Sequence, residues 1–179
     1  VVRITDTNEE KSFVSSGFFV KMDGTIAASA ALVRLAASTT SYQAVLSDGR
    51  AVPLVKLVLP VSTSTAASSS QLSFFKPTSP IATDKWTVFP LAKIPPAIGQ
   101  TVVALGFSDR PDLNVAVGIV SSFLSASAST SPFVMTNAAS PENRGGPLLN
   151  IKGEVIGLSE GAGLAIASET IATQLALFK

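Results

Sequence analysis

Short runs of apolar and β-branched residues recur along most of this 179-residue chain, and clusters of glycine, proline, aspartate and serine separate them. Such a pattern is typical of an all-β barrel or sandwich. Asp-Gly pairs at 23–24 and 48–49 predict tight hairpin turns, because both central residues of such a turn need positive φ. We therefore predict strands over residues 1–5, 16–22, 25–28, 42–46 and 51–59 of the first half and 101–106, 115–122, 133–136, 147–150, 155–159 and 163–167 of the second.

Two segments depart from the strand pattern. Residues 29–37 are rich in alanine and leucine, which favours a helical turn. In the tail, the apolar residues Ile171, Leu175 and Phe178 recur every three to four positions behind Ser168. This spacing behind a capping serine predicts a C-terminal amphipathic helix over residues 168–178.

Several aromatic residues are candidates for the core or for a peptide-binding surface. We favour the core, because aromatic side chains carry much of the buried area in β-rich folds, and one of two adjacent residues in a strand must point inward. The residues concerned are Phe18, Phe19, Phe74, Phe75, Trp86 and Phe89.

The charges are nearly balanced, with 13 lysine and arginine residues against 12 aspartate and glutamate residues, and they are scattered. We therefore predict no nucleic-acid partner. No apolar run reaches the roughly 18 residues that span a bilayer, so we expect no membrane insertion by this segment. The apolar fraction is 46% and the charged fraction only 14%, which indicates apolar surface that a partner or further parts of a longer chain cover.

Two residue types with strong chemistry are missing, since the chain has no cysteine and no histidine. Without cysteine there is no disulfide, thiolate metal ligand or cysteine nucleophile. Histidine is the usual general base for activating a serine, so its absence excludes a Ser-His-Asp mechanism. Only carboxylates remain as metal ligands, and they form no loop of spaced ligands. We predict no metal and no cofactor.

The strongest motif is PENRGGPL at 141–148 with NIKGEVIG at 150–157. It resembles the segment around the nucleophile in the HtrA (Deg) family of trypsin-like serine proteases, where the pattern is NPGNSGGPLxNxxGxVIG. The glycine pair, the proline and the downstream strand-turn-strand match. The nucleophile does not match, because Arg144 stands where the family has serine.

Other segments resemble the same family in the same order. The segment ASAALV at 28–33 lies where the family's TNxHVV carries the catalytic histidine, and Ala31 replaces that histidine. The segment LSDGR at 46–50 matches the LSDGRxxPA hairpin, and VGIVS at 117–121 and GLAIA at 163–167 resemble two later strands. The family's aspartate belongs to a strand that aligns best with residues 70–76, where Gln71 replaces it; a later register would use Asp84 instead.

The resemblance covers nearly the whole chain and implies an all-β, trypsin-like (chymotrypsin) fold. Such a fold has two six-stranded antiparallel barrels with the former active site in the cleft between them. We expect one domain over residues 1–179, with an N-terminal barrel at 1–76, a connection at 77–100, a C-terminal barrel at 101–167 and the C-terminal helix at 168–179.

Each replaced position changes the chemistry that the family motif implies. The guanidinium of Arg144 stays protonated and cannot attack a carbonyl, Ala31 cannot accept a proton, and Gln71 carries no charge. Glu142 stands at the glycine of the family's oxyanion hole, where a carboxylate repels a developing oxyanion. Glu142 and Arg144 are either two solvated charges on a loop, or Arg144 fills the old cleft by pairing with Glu142 or Asp84 or by contacting a partner.

From these replacements we predict that the chain is not an enzyme but a pseudoprotease that binds a protein or peptide as a scaffold or regulator. The alternatives are a purely structural domain of a larger envelope or membrane-anchored protein and, last, a hydrolase with an unrecognised mechanism. An open groove along residues 157–163 favours peptide binding, and a filled one favours the structural role. The resemblance also implies an extracytoplasmic location.

Overall fold

Two closed six-stranded antiparallel barrels form the protein in a computed structural model, which describes residues 1–6, 14–31, 41–58, 71–80, 86–108, 112–124 and 133–178. This confirms the predicted all-β, trypsin-like architecture. The strands are β1 (Val2–Asp6), β2 (Val14–Phe19), β3 (Ile26–Ser29), β4 (Tyr42–Val45), β5 (Ala51–Leu57), β6 (Leu72–Pro77), β7 (Thr101–Phe107), β8 (Leu113–Leu124), β9 (Phe133–Thr136), β10 (Pro147–Asn150), β11 (Val155–Gly161) and β12 (Leu164–Ala167).

The first barrel has the strand order β1-β2-β3-β6-β5-β4. Side chains alternate across these strands, so each strand gives one set of residues to the barrel interior and another to its outside. Phe19 and Phe75 lie inside this barrel, whereas their chain neighbours Phe18 and Phe74 pack against the second barrel. All four are buried, which confirms the core prediction for these aromatic pairs.

Trp86 and Phe89 belong to the connection between the barrels. The indole of Trp86 stacks on the ring of Phe19 with the ring centroids 4.5 Å apart. Phe89 meets Phe18 edge to face, and its main-chain N–H donates to the carbonyl oxygen of Phe19. Trp86 and Phe89 are both partly buried and pack against core residues of the first barrel. They therefore attach the connecting segment to that barrel.

Both Asp-Gly pairs form turns, but not of the predicted type. Gly24 and Gly49 have φ of 87° and 82°, whereas Ala162 is the only non-glycine residue with positive φ in the described part of the chain. The aspartates therefore have ordinary φ values. In the first turn Asp23 accepts hydrogen bonds from the main-chain N–H and the hydroxyl of Thr25, which fixes the turn by a side-chain contact instead.

The second barrel has the strand order β10-β11-β12-β9-β8-β7. Strand β8 is longer than predicted, and β5 ends at Leu57, two residues before the predicted end. Most of the predicted helical turn at 29–37 falls outside the described residues, while Ser29 itself ends strand β3.

One α-helix follows the barrel, and we call it α1 (Ser168–Leu175). It ends three residues earlier than the apolar spacing predicts, and Phe178 instead meets the ring of Phe74 edge to face. Ile171 and Leu175 lie in a cluster with Phe18, Phe74 and residues of β10, β11 and β12. The helix therefore closes the apolar interface between the two barrels.

Shortening the buried side chain of α1 is expected to destabilise the whole domain. Ile171 is fully buried, so Ile171→Ala leaves a cavity at the barrel interface and lowers the free energy of unfolding by about 2–5 kcal/mol in denaturant titrations. Thr173 is exposed on the same helix. The control Thr173→Ala is expected to change the free energy by no more than about 0.5 kcal/mol, and an equal effect of both variants contradicts the prediction.

Candidate functional site at the crevice between the barrels

The loop before β10 is fastened to both barrels by main-chain hydrogen bonds. It begins with a single 3₁₀ turn (Pro141–Asn143), in which proline at the first position loses no hydrogen bond. The carbonyl oxygen of Arg144 accepts the N–H of Ser16 at 2.9 Å and the Ser15 hydroxyl at 3.3 Å, both from β2. On the other side, the N–H of Gly145 donates to the carbonyl oxygen of Ser159 in β11 at 2.7 Å.

The side chain of Asn143 holds the same loop from inside. Its amide nitrogen donates to the carbonyl oxygen of Ala138 at 2.8 Å, and its amide oxygen accepts the N–H of Ser140 at 3.1 Å. The same oxygen accepts the Ser159 hydroxyl at 2.6 Å. Asn143 is fully buried, so these bonds fix the turn against β11. Sequence reasoning missed this residue, whose only signal is an asparagine two positions before the glycine pair.

The two glycines of the motif are required by close main-chain contacts. Gly145 has a φ of 82°, and a Cβ atom there would collide with the carbonyl oxygen of Ser16. A Cβ atom on Gly146 would collide with the carbonyl oxygen of Leu105 in β7. The glycine pair therefore lets the loop approach both barrels, whatever side chain residue 144 carries.

The side chain of Arg144 reaches β11, a neighbouring strand of the same barrel. Its Nε donates to the carbonyl oxygen of Glu160 at 2.9 Å. Glu160 lies where the register between β11 and β12 shifts, between Ser159 and Gly161, so the ladder does not pair it there. Arg144 forms no ion pair with an acid of the described residues, Glu142 included. This bond is not one of the pairings predicted for Arg144, and the choice between the two sequence interpretations stays a prediction.

Glu160 also reaches the first barrel. The hydroxyl of Ser29, at the end of β3, donates to Glu160 Oε2 at 3.0 Å and accepts the N–H of Ala31 at 3.1 Å. Ser29 is fully buried. This pair of residues, 131 positions apart, joins the segment around Ala31 to β11. Sequence reasoning missed it because nothing local marks a serine and a glutamate this distant as neighbours.

A small pocket of about 230 Å³ opens at this place. The first barrel contributes Ala31 and Gln71, two of the positions singled out from the sequence, together with Ala30, whose N–H donates to the Gln71 carbonyl oxygen at 2.8 Å. The second barrel contributes Phe133, Glu160 and Leu164. The structure thus brings Ala31 and Gln71 to one pocket. Arg144 does not line this pocket, but its side chain is hydrogen-bonded to Glu160, which does.

The main-chain amides of the 3₁₀ turn are used within the turn. The N–H of Arg144 donates to the carbonyl oxygen of Pro141 at 3.3 Å, and that of Asn143 to Ser140 at 3.2 Å. Glu142 is exposed, and hydrogen bonds from the Ser140 side chain and from its own main-chain N–H lower the pKa of its carboxyl. An oxyanion site at this turn therefore requires the turn to open.

The remaining sequence candidate, Asp84, lies outside the described residues. Among the residues that the structure does describe, no three histidine, cysteine, aspartate or glutamate side chains gather as metal ligands do. Within the same ranges, no helix has the length and apolar character needed to cross a membrane.

Comparisons with known proteins agree with this architecture. The profile of the family described as trypsin-like peptidase domain matches residues 15–158. A Synechocystis protein named as a serine protease, HhoB, is 38% identical over 86 residues, which cover 40% of this chain and 21% of that protein. An Ectopseudomonas mendocina protein named as a DegP-like periplasmic serine endoprotease is 43% identical over 65 residues, which cover 35% of this chain and 14% of that protein.

Solved structures show the same fold over almost the full length. The HtrA-type protease AlgW superposes with a TM-score of 0.73 at 19% identity, and the match covers 98% of this chain and 58% of AlgW. This chain therefore spans little more than half of that structure and a smaller part of the two curated relatives.

The prediction that this chain is not an enzyme is wrong on these findings, because both curated relatives and the solved neighbour are named proteases. That prediction relied on the side chains at positions 31, 71, 142 and 144. The match to the family extends over residues 15–158 and includes all four positions.

Removing the buried amide of Asn143 is expected to loosen the site loop. Asn143→Ala leaves the Ser159 hydroxyl and the Ala138 carbonyl without this partner, so the free energy of unfolding should fall by about 2–4 kcal/mol in urea titrations. Glu142→Gln, at an exposed position of the same turn, serves as the control with a change below about 0.5 kcal/mol. Equal stability of both variants would show that Asn143 does not hold the loop.

Proposed function

Because this chain belongs to the family of trypsin-like peptidase domains and is of the HtrA (Deg) type, we propose that it binds an extended segment of polypeptide in the crevice between its barrels. In this role it acts as a scaffold or as a regulator of another protein. The observation that carries the proposal is the crevice pocket of about 230 Å³, to which both barrels contribute walls.

The chemistry of the pocket favours a segment with both apolar and hydrogen-bonding parts. Phe133 and Leu164 offer apolar contact, and Gln71 and Glu160 offer polar groups. An extended segment that lies along a strand gains affinity from main-chain hydrogen bonds and specificity from pockets for alternate side chains. The carbonyl oxygen of Glu160, beside the register shift of β11, is a main-chain acceptor suited to such a segment.

Arg144 competes for that acceptor, because its Nε already donates to the carbonyl oxygen of Glu160. An incoming peptide N–H has to displace this bond. A net hydrogen bond in a protein contributes about 0.5–1.5 kcal/mol, so the competition lowers peptide affinity by roughly two- to tenfold.

The same contact favours the second candidate function, a purely structural domain of a larger envelope or membrane-anchored protein. In that role Arg144 fills the groove permanently and links the β10 loop to β11. The two functions differ in one measurable respect, because only a peptide-binding crevice gains affinity when Arg144 is shortened.

An extracytoplasmic location is part of the proposal. Its support is the relative from Ectopseudomonas mendocina, which is named as a periplasmic protein.

Binding of an unfolded protein tests the proposal directly. Fluorescein-labelled β-casein is titrated with the protein and followed by fluorescence anisotropy. Arg144→Ala is expected to raise the affinity by roughly two- to tenfold, because it removes the Arg144 hydrogen bond to the Glu160 carbonyl oxygen. Ala31→Trp is expected to lower it by about tenfold, because the larger side chain fills the pocket.

Ile151→Ala, in the exposed turn between β10 and β11, is the matched control and should leave the affinity unchanged. Absence of casein binding by the native protein and by Arg144→Ala refutes the proposal in favour of the structural role. Mass spectrometry of the same samples reports casein fragments separately, and their appearance would add hydrolysis to binding.

A further inference from the structure

A second cavity, at about 600 Å³ larger than the crevice pocket, shares no lining residue with that pocket. We call it the Arg3 cavity, because among the described residues that line it Arg3 is the one with a charged side chain. Its apolar lining includes Leu46 and Phe89 on one side and Leu105, Phe107 and Leu113 of β7 and β8 on the other. Its volume is in the range of small-molecule binding sites, which are also mostly apolar with a few polar groups.

The alternation of side chains along β1 explains why Arg3 lines this cavity. Val2 and Ile4 are buried inside the first barrel, so Arg3 between them projects from the outside of that barrel. Arg3 lies opposite Val45 of β4, and β1 packs against β7 of the second barrel. The guanidinium therefore stands at the junction of the two barrels.

The charge of Arg3 has no counter-charge in the described part of the chain. Its Nε is buried and lacks a hydrogen-bond partner, and neither of the ion pairs found there involves it. Asp48, next to the lining residues Ser47 and Gly49, is paired with Arg50 at 2.7 Å. A buried polar group without a partner is costly, and more so when it is charged, so the cavity favours an anion.

We propose that the Arg3 cavity binds a small amphiphilic carboxylate, with its carboxylate on the Arg3 guanidinium and its aliphatic chain against Leu105, Phe107 and Leu113. Guanidinium and carboxylate match in geometry and form charge-assisted hydrogen bonds. The apolar walls exclude a compact, fully polar anion such as phosphate as the preferred ligand, because its remaining oxygens would be desolvated without partners. The proposal is independent of peptide binding in the crevice.

Titration with decanoate, below its critical micelle concentration, tests this site by isothermal calorimetry on the intact chain. Decanol has the same tail without the charge, and acetate has the charge without the tail. We expect decanoate to bind more tightly than either by about tenfold or more. Equal affinity for decanoate and decanol, or no decanoate binding, overturns the proposal.

Variants of Arg3 give the second readout. Arg3→Met should weaken decanoate binding by about tenfold or more and leave decanol binding within about twofold. Its melting temperature should not fall, because it removes a charge that has no partner. Arg3→Lys should retain part of the decanoate affinity. Decanoate binding that is unchanged in Arg3→Met refutes the assignment.

A substitution at the exposed edge of the Arg3 cavity provides a second test in case Arg3→Met does not fold. Leu113 is 47% exposed, so Leu113→Glu is tolerated and places a carboxylate of the protein at the cavity. It should weaken decanoate binding by about tenfold, whereas the neutral control Leu113→Gln should weaken it less than about threefold. Equal losses contradict the proposal.

The carboxylate could also come from the C-terminus of a protein. A peptide with a free C-terminal leucine and its amidated form are compared with decanoate under the same conditions. If only the free-acid peptide binds, and loses affinity in Arg3→Met, the small-molecule proposal is overturned in favour of a protein C-terminus.

Discussion

The carbonyl oxygen of Arg144 ties the loop before β10 in the second barrel to β2 in the first. It accepts two hydrogen bonds from β2, while the next residue, Gly145, donates to β11. Because these bonds involve the main chain, they depend on the path of the loop and not on the side chain of residue 144. The path in turn depends on the glycine pair, since a Cβ atom at either position would strike a carbonyl oxygen of the neighbouring strand.

The side chains around this junction link the barrels a second time. Arg144 reaches the carbonyl oxygen of Glu160, and the Glu160 carboxylate accepts the Ser29 hydroxyl from the first barrel. The Glu160 that makes these contacts also lines the crevice pocket, together with Gln71 and Leu164. The same residues therefore join the two barrels and line the pocket between them.

Much of the architecture could be predicted from the sequence, because its signals are local. The glycine pair of the 141–148 motif and the strand alternation around Phe18 and Phe74 each depend on a few adjacent residues. The early end of α1 could not be predicted, because Phe178 is drawn to Phe74 across the interface. The partnership of Ser29 with Glu160 was equally invisible, since it exists only once two distant strands are side by side.

The main-chain anchoring of residue 144 has a consequence for how such a domain evolves. A position whose backbone makes the contacts to β2 and β11 can exchange its side chain and still keep those main-chain hydrogen bonds. Substitutions at residue 144 can therefore accumulate while the fold is kept. Chemistry at this crevice can drift while selection on the glycines next to it continues to preserve the shape.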